Sequence, residues 1–348
     1  MRSASPFEAR VAAIDEEIRS VLAQADPSLQ PFYGMMLYHL GLGGEGSSGK
    51  RLRPVLFTLV YEALAGDAQP ALPAAAALEL LHNFTLIHDD IEDQDPTRHH
   101  RPTVWSVWGE PQAINAGDGM YACSRLAVQR LRDRGFPSDR ILDFACLLDL
   151  ACVRVCEGQF LDISFESRSD VNPERYRAMA AKKTGALWAA AAEGAAILAT
   201  DEADVRRALA RFGDEFGHAF QAYDDLLGIW GTQERTGKVE MNDIAKRKKT
   251  LPVVLAFERA SPRARARLVE LYAPPAPLPP ANVEAIRETL DELGARELIE
   301  REIAQHRQRA LAGLHGIEAI SGAREPLALL EQLIATATGV PEPAASSA

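Results

Sequence analysis

Apolar residues recur along most of the chain at intervals of three and four positions, the spacing that places them on one face of an α-helix. Long stretches rich in Ala, Leu, Glu and Arg favour the same conformation, because these residues have high helix propensity. No stretch alternates apolar and polar residues over enough positions to predict a series of strands. The pattern predicts an all-α fold in which many helices pack as a bundle.

Turn-forming residues interrupt the helical pattern at residues 41–49, 95–102, 170–173, 231–237 and 274–280. The last break is proline-rich, as a linker between domains would be. We interpret it as a surface loop, because the helical pattern resumes after it without a change in composition. We therefore predict a single helical domain at residues 11–338, a flexible N-terminus at 1–10 and a disordered tail at 339–348.

The amino-acid composition limits which classes of protein this chain can belong to. Of the 348 residues 47% are hydrophobic and 25% are charged, as in ordinary globular proteins, and a net charge of −11 argues against a general nucleic-acid binder. The four cysteines lack the paired spacing of a zinc site and are expected to be buried free thiols in a reducing compartment. The most apolar window, 186–199, is interrupted by Glu193 and is shorter than the roughly 20 residues that span a bilayer. With no apolar signal segment at the start, we expect a cytoplasmic protein.

Two groups of aspartates lie in helical segments that are far apart in the sequence. The first contains Asp89, Asp90 and Asp93, and the second contains Asp224 and Asp225. Residues four apart share one face of a helix, so Asp89 and Asp93 are expected to project in the same direction. Carboxylate oxygens suit Mg²⁺, whose remaining ligands are usually water and substrate phosphates. The pattern therefore predicts a site at which Mg²⁺ holds a polyphosphate.

Acidic clusters more often form solvated surface, but these two follow apolar residues. The preceding residues are Leu80, Leu81, Phe84, Leu86 and Ile87 in the first segment, and Phe216, Ala219 and Phe220 in the second. Charged groups avoid apolar surroundings unless they are paired or bind a metal. The surface interpretation is therefore the weaker one.

His82 and His88, beside Asp89 and Asp90, also permit another interpretation, a histidine–aspartate metal phosphohydrolase. Such a site needs further histidines at suitable places. The other histidines suggest no such set, so we consider this interpretation weak.

Basic clusters near the aspartates could bind the polyphosphate. They lie at residues 50–53, 98–101, 182–183, 237–238 and 246–249. Arginine can bind a phosphate through two parallel hydrogen bonds, and lysine acts as a mobile point charge. A single basic cluster is usually solvated surface, but this repeated placement in an acidic chain favours an anion site.

These segments, in this order, resemble the trans-isoprenyl diphosphate synthases, or polyprenyl synthetases. The matching motifs are GKRLRP at 49–54, LLHNFTLIHDDIED at 80–93, RPTVW at 101–105, GDGMYA at 117–122, EGQFLD at 157–162, KTGAL at 183–187, FQAYDD at 220–225 and TGK at 236–238. The resemblance spans roughly residues 45–255 with strong motifs, and the C-terminal helices fit more loosely. A lone DDxxD motif is not specific, but the ordered set is.

The resemblance implies helices around a deep central cavity, usually in a homodimer. The implied reaction is the head-to-tail condensation of an allylic diphosphate (dimethylallyl, geranyl or farnesyl) with isopentenyl diphosphate, with about two or three Mg²⁺ ions per site. The implied metal-binding residues are Asp89, Asp93, Asp224 and Asp225, with Asp90 and Asp225 in supporting positions. The implied allylic diphosphate contacts are Arg98, Lys183, Thr184, Gln221, Lys238 and Lys248, and the implied isopentenyl diphosphate contacts are Gly49, Lys50, Arg53, His82 and His99. The catalytic set would be Asp89, Asp90, Asp93, Arg98, Lys183, Asp224 and Lys238.

The chain departs from the family pattern at two positions. Gly228 stands where the second motif commonly has a third aspartate. His99 stands where the family usually has an arginine that contacts isopentenyl diphosphate, and a histidine is shorter and mostly neutral at pH 7. We expect two carboxylates to suffice in the second motif. For His99 two outcomes stay open: either Arg101 or Lys50 compensates for the missing arginine, or the affinity for isopentenyl diphosphate is weak.

Phe84 lies five residues before Asp89, or about 7.5 Å back along the helix. There it would form a floor for the growing chain, and the small Thr85 beside it favours a geranylgeranyl (C20) product over farnesyl (C15). The simpler interpretation is that Phe84 is ordinary core. Two rival functions stay open, a terpene synthase on the same scaffold and a non-catalytic subunit of a heterodimeric prenyltransferase.

Overall fold

The computed structural model describes residues 6–23, 26–44, 49–166, 168, 170–231 and 241–340. Helices dominate this part of the chain, so the predicted all-α class is confirmed. The N-terminal helices are α1 (Pro6–Val21), α2 (Gln30–His39), α3 (Leu52–Ala65), α4 (Leu72–Glu92), α5 (Val104–Trp108), α6 (Glu110–Gln129), α7 (Ser138–Glu166), α8 (Pro173–Ala180) and α9 (Ala186–Ala199). The remainder are α10 (Ala203–Trp230), α11 (Asn242–Ala245), α12 (Leu251–Arg259), α13 (Pro262–Leu271), α14 (Pro280–Glu292), α15 (Ala295–His315), α16 (Glu318–Ser321) and α17 (Arg324–Ala337).

Short elements connect some of these helices. Single 3₁₀ segments span Pro27–Leu29, Gln69–Ala71 and Arg130–Arg134, and a π-helical turn spans Ala181–Gly185. Two strands, β1 (Thr97–Arg98) and β2 (Arg101–Pro102), form an antiparallel hairpin within the break predicted at 95–102.

The helical region begins earlier than the sequence predicted. Helix α1 starts at Pro6, so residues 6–10, which we expected to be flexible, are helical. Proline is well suited to this first position because its missing N–H needs no partner there and its φ is already helical. Of the predicted tail, Gly339 and Val340 follow α17, and residues 341–348 lie outside the described residues.

The chain divides into two compact units. The first unit comprises the described parts of residues 1–150 with Ala190–Ala210 and Leu314–Leu333. The second comprises the described parts of residues 151–189, 211–313 and 334–348. The chain passes between the units several times, so no single linker separates them, and the proline-rich loop at 274–280 lies inside the second unit. The single domain at 11–338 stays a prediction.

A buried cluster of three charged side chains connects α1 and α4 to the start of α3 in the first unit. The Arg51 guanidinium, whose side chain is 2% exposed, donates to Asp15 of α1 at 2.8 Å and to Glu79 of α4 at 3.1 Å. Arg51 adopts a left-handed backbone conformation (φ 48°) immediately before α3. The middle of the GKRLRP motif is therefore structural, because removing Arg51 would leave two acids without their charge partner.

In the second unit, two glycines of α10 allow another helix to approach it closely. A side chain at Gly213 would collide with the backbone of Trp188, and one at Gly217 would lie 2.8 Å from the Gly185 Cα. Glycine at these two positions lets the start of α9 lie directly against α10. Helix α9 is almost entirely buried, as expected for a core helix. Within the described residues, no helix is long and apolar enough to cross a membrane.

Candidate active site

The first aspartate group lies at the C-terminal end of α4. Asp89 and Asp93 are separated by one helical turn, since the Asp93 amide donates to the Asp89 carbonyl at 2.8 Å. Both side chains are partly exposed, whereas Asp90 between them is buried. The two residues predicted to bind metal directly are therefore accessible, and the supporting acid is not.

Arg98 of the β1–β2 hairpin folds back onto this group. Its Nε donates to Asp90 Oδ1 at 2.7 Å, and its Nη2 donates to Asp89 Oδ2 at 3.3 Å. Burial raises the pKa of Asp90 to about 6 despite this cation. Among the described residues, Asp90 Oδ2 accepts no hydrogen bond, so the first group has more acceptor capacity than its protein donors use. Arg98, which the resemblance assigns to the allylic diphosphate, is therefore already paired with two carboxylates of this aspartate group.

Arg53 and His82, both predicted to contact isopentenyl diphosphate, lie against each other. Burial and the nearby Arg53 cation hold the pKa of His82 well below its usual value, so the imidazole is neutral. Arginine can only donate, so His82 Nε2 accepts from Arg53 Nη1 at 2.9 Å. Lys50 is exposed and Gly49 is partly exposed at the start of the same motif.

His99 lies in the tight turn of the hairpin. His99 and His100 have φ values of 49° and 60°, as a two-residue type I′ turn requires. Both side chains are exposed. Arg101 follows on β2, with its guanidinium carbon 4.1 Å from the centre of the Tyr38 ring. This contact fixes the cation that we expected to compensate for the missing arginine at position 99.

In the second unit, Lys183 and Thr184 lie in the π-helical turn between α8 and α9. Such turns are rare and often mark functional sites. A side chain at Gly158 of α7 would overlap the Lys183 backbone, so this glycine permits the close approach of α7 to the turn. Asp162, one turn further along α7, accepts from Lys183 Nζ at 2.6 Å. The EGQFLD motif therefore fixes the position of Lys183 and pairs its positive charge with the Asp162 carboxylate. Sequence reasoning did not assign this role to the motif.

Asp224 and Asp225 are in different environments. Asp224 is exposed, whereas the Asp225 side chain is buried and both of its oxygens accept hydrogen bonds. Its donors are the Tyr176 hydroxyl, Gln221 Nε2 at 2.8 Å and the Leu251 amide at 2.8 Å. Burial raises the pKa of Asp225 to about 7. This structure gives Asp225 protein donors as partners, so its direct ligation of metal stays a prediction and a supporting position fits it better.

Thr184 and Gln221 belong to the same network. The Thr184 hydroxyl donates to Gln221 Oε1, and the other end of that amide donates to Asp225. Two predicted diphosphate contacts are thus brought together. Tyr176 was missed because nothing near it in the sequence distinguishes it from a core aromatic residue.

Gly228, in place of the expected third aspartate, lies against Asp243 of α11. A side chain at position 228 would overlap the Asp243 carboxylate, so this space is already occupied by an acid from another helix. Lys248 follows α11, and its amide donates to the Asp243 carbonyl at 2.9 Å. Lys238 lies outside the described residues.

Phe84 packs against α6. Its ring meets those of Tyr121 and His88 edge-on, with centroid distances of 5.2 and 5.7 Å, and the residue is 9% exposed. The Thr85 hydroxyl donates to the His82 carbonyl at 2.7 Å. Both positions lie one turn or more before Asp89, as the floor hypothesis requires.

The donor chemistry of each unit fits Mg²⁺. Accessible carboxylates (Asp89 and Asp93 in one unit, Asp224 in the other) supply the hard oxygen ligands that this ion prefers. Among the described residues, no three His, Cys, Asp or Glu side chains converge to form a complete metal site. An ion held here would therefore need further oxygen ligands, which water and phosphate supply.

Known proteins are similar to this chain in sequence and in fold. The model of the polyprenyl synthetase family matches residues 40–291. The chain is 41% identical over 302 residues to a geranylgeranyl diphosphate synthase of Mycobacterium tuberculosis, covering 84% of this chain and 85% of the relative. It is 42% identical over 246 residues to a (2E,6E)-farnesyl diphosphate synthase of Mycobacterium bovis, covering 69% of this chain and 66% of the relative.

A crystal structure of geranylgeranyl pyrophosphate synthase from Corynebacterium glutamicum, complexed with isoprenyl diphosphate and magnesium, matches with a TM-score of 0.82 at 26% identity. The match covers 97% of this chain and 100% of that chain. The all-α fold predicted from the sequence is therefore found in a solved relative.

Gly228→Asp, which restores the common third aspartate, should lower the free energy of unfolding by about 1–3 kcal/mol, because overpacking is added to repulsion from Asp243. Gly228→Ala should have part of this effect. Gly313→Ala, a helical glycine with open space around it, is the matched control and should be neutral or slightly stabilising. Urea unfolding measures all three. A Gly228→Asp protein as stable as the parent would contradict the packing described here.

Proposed function

The chain belongs to the polyprenyl synthetase family, and we propose that it is a Mg²⁺-dependent prenyltransferase. It condenses an allylic diphosphate with isopentenyl diphosphate to a short-chain prenyl diphosphate, geranylgeranyl (C20) or otherwise farnesyl (C15). One observation supports this most strongly. In each aspartate group one buried acid accepts from a protein donor while its neighbour stays accessible, which leaves the neighbour able to bind a metal ion together with a diphosphate.

Asp89, Asp93 and Asp224 are proposed to bind about two or three Mg²⁺ ions together with the allylic diphosphate. When bound, Mg²⁺ stabilises the negative charge that develops on the departing diphosphate. Asp90 and Asp225 keep supporting positions, because both are buried next to an accessible aspartate.

Arg98, Lys183, Thr184, Gln221, Lys238 and Lys248 are proposed to contact the allylic diphosphate. A guanidinium has five donor hydrogens, so Arg98 can keep its bonds to Asp89 and Asp90 while it binds phosphate. Lys183 is a single rotatable ammonium with three donors and can do the same beside Asp162. Donors that are already fixed by carboxylates stabilise a leaving group without reorganising during the reaction.

Gly49, Lys50, Arg53, His82 and His99 are proposed to form the isopentenyl diphosphate site. Since neutral His82 accepts from Arg53, we assign it to orienting that guanidinium. After the allylic C–O bond breaks, the double bond of isopentenyl diphosphate attacks the carbocation, and a proton is then lost to the released diphosphate. No protein nucleophile is needed.

A homodimer is also proposed, because α7 exposes a stripe of large apolar residues at helical spacing. Its members Leu142, Leu150, Val153 and Phe160 are 55–70% exposed. Light scattering should therefore give twice the chain mass of 37.9 kDa.

The cytoplasm is proposed as the compartment. None of the four cysteines, all among the described residues, forms a disulfide, as a reducing environment favours. Cys123 is buried, but Cys146 and Cys156 are exposed, so the expectation that all four thiols are buried is wrong.

The proposed reaction is tested by incubating purified protein with Mg²⁺, isopentenyl diphosphate and each allylic starter. Mass spectrometry should show prenyl diphosphates extended by C5 units up to C20, and chelation of Mg²⁺ should abolish them. Hydrocarbon released from geranylgeranyl diphosphate alone would favour the terpene synthase. Turnover only after a second chain is added would favour the non-catalytic subunit.

Phe84→Ala should shift the product beyond that of the parent protein, because the change removes the ring that would block the growing chain. Phe144→Ala is the matched control, since it removes a fully buried phenylalanine of the first unit that packs on Phe57. Both changes should cost stability, by about 3–5 kcal/mol for a core phenylalanine. Product length is read by mass spectrometry with farnesyl diphosphate as starter. If both variants make the same product as the parent protein, Phe84 is only part of the hydrophobic core and does not limit chain length.

A further inference from the structure

Asp225 is a buried acid whose surroundings are built from four separate elements of the second unit. It lies on α10 and accepts from Tyr176 of α8, from the first amide of α12 and from Gln221 of its own helix. Gln221 in turn accepts from Thr184 of the π-helical turn. Asp225 is therefore the common acceptor that fixes these elements to one another.

Tyr176 is the side-chain partner of Asp225 that comes from furthest away in the sequence. The residue is 4% exposed and packs in a cluster with buried neighbours that include Met179, Leu251 and Leu255. Its hydroxyl donates to Asp225 Oδ2, the same oxygen that accepts from the Leu251 amide. The other oxygen, Oδ1, accepts from Gln221. The Asp225 carboxylate is thus fixed from both sides.

The orientation of the Gln221 amide depends on this carboxylate. In this structure its Nε2 end donates to Asp225 Oδ1, and its Oε1 end accepts from the Thr184 hydroxyl. If Asp225 turned or moved, both the amide and the hydroxyl would lose their fixed direction. Asp224, the accessible acid, is the next residue on the helix.

We propose that Tyr176 is a positioning residue for the allylic diphosphate. Its hydroxyl holds Asp225, and Asp225 holds Gln221, Thr184 and the helical segment that presents Asp224. This inference rests on the function proposed above. It also specifies which of the two substrates depends on Tyr176, because the isopentenyl diphosphate residues lie in the first unit.

Tyr176→Phe removes one hydroxyl and keeps the ring in its packed position. An unreactive thiolo analogue of geranyl diphosphate, titrated with Mg²⁺ present, should bind about 10-fold more weakly to this variant, a change of about 1.4 kcal/mol. The KM for isopentenyl diphosphate should stay within about twofold of the parent value. Such a change is small beside the expected loss of analogue binding. Calorimetry and steady-state kinetics measure the two quantities.

Tyr272→Phe is the matched control. Tyr272 is also buried in the second unit, but its hydroxyl makes no hydrogen bond within the described residues. This control should bind the analogue as the parent does. If both variants bind the analogue equally well, or if Tyr176→Phe weakens both substrates alike, Tyr176 is structural only and the inference is wrong.

A double-mutant cycle tests whether Tyr176 acts through Asp225. Asp225→Asn alone should weaken analogue binding, and adding Tyr176→Phe should weaken it little further, because the two residues form one chain of contacts. Fully additive losses would overturn the inference. If Tyr176→Phe folds poorly, Asp225→Asn by itself tests whether the network orients the site, and unchanged analogue binding in Asp225→Asn would likewise overturn the inference. Failure of the parent protein to bind the analogue or form product would instead contradict the proposed function itself.

Discussion

The interaction on which the candidate site depends is the hydrogen bonding of one buried carboxylate in each aspartate pair. A buried acid is costly unless donors surround it. Asp90 has the guanidinium of Arg98, and Asp225 has a hydroxyl, an amide side chain and a backbone amide. Fixing the buried acid fixes the helix on which the accessible neighbour lies. Two neighbouring residues of the same type thus have different tasks.

The cations follow the same principle. Arg98 and Lys183 are paired with carboxylates within their own units, and Arg53 is paired with a neutral histidine. Their directions are thus set before any substrate arrives, which lowers the reorganisation needed when charge develops on a leaving group. Close backbone approach at Gly158 makes this possible for Lys183, since any side chain there would displace the π-helical turn.

Helical periodicity is a local signal, so the sequence predicted the helical class. Apolar lead-ins indicated the two aspartate groups, whereas the resemblance to a family implied most of the other candidate residues. The sequence did not predict features made by distant contacts. Tyr176 reaches Asp225 across 49 positions, and the space that Asp243 takes beside Gly228 depends on how α11 packs. The β1–β2 hairpin was missed because each strand has only two residues, too few to show alternation. The residues of the second motif look alike in sequence, and only burial separates Asp224 from Asp225.

We propose that the accessible aspartates bind metal together with a diphosphate rather than alone. Bound Mn²⁺ can be counted by electron paramagnetic resonance, with and without an unreactive allylic diphosphate. We expect weak binding without the diphosphate and about two or three ions per chain with it. Asp89→Asn and Asp224→Asn should each lower that number. Tight metal binding without diphosphate, or an unchanged number in both variants, would contradict this proposal.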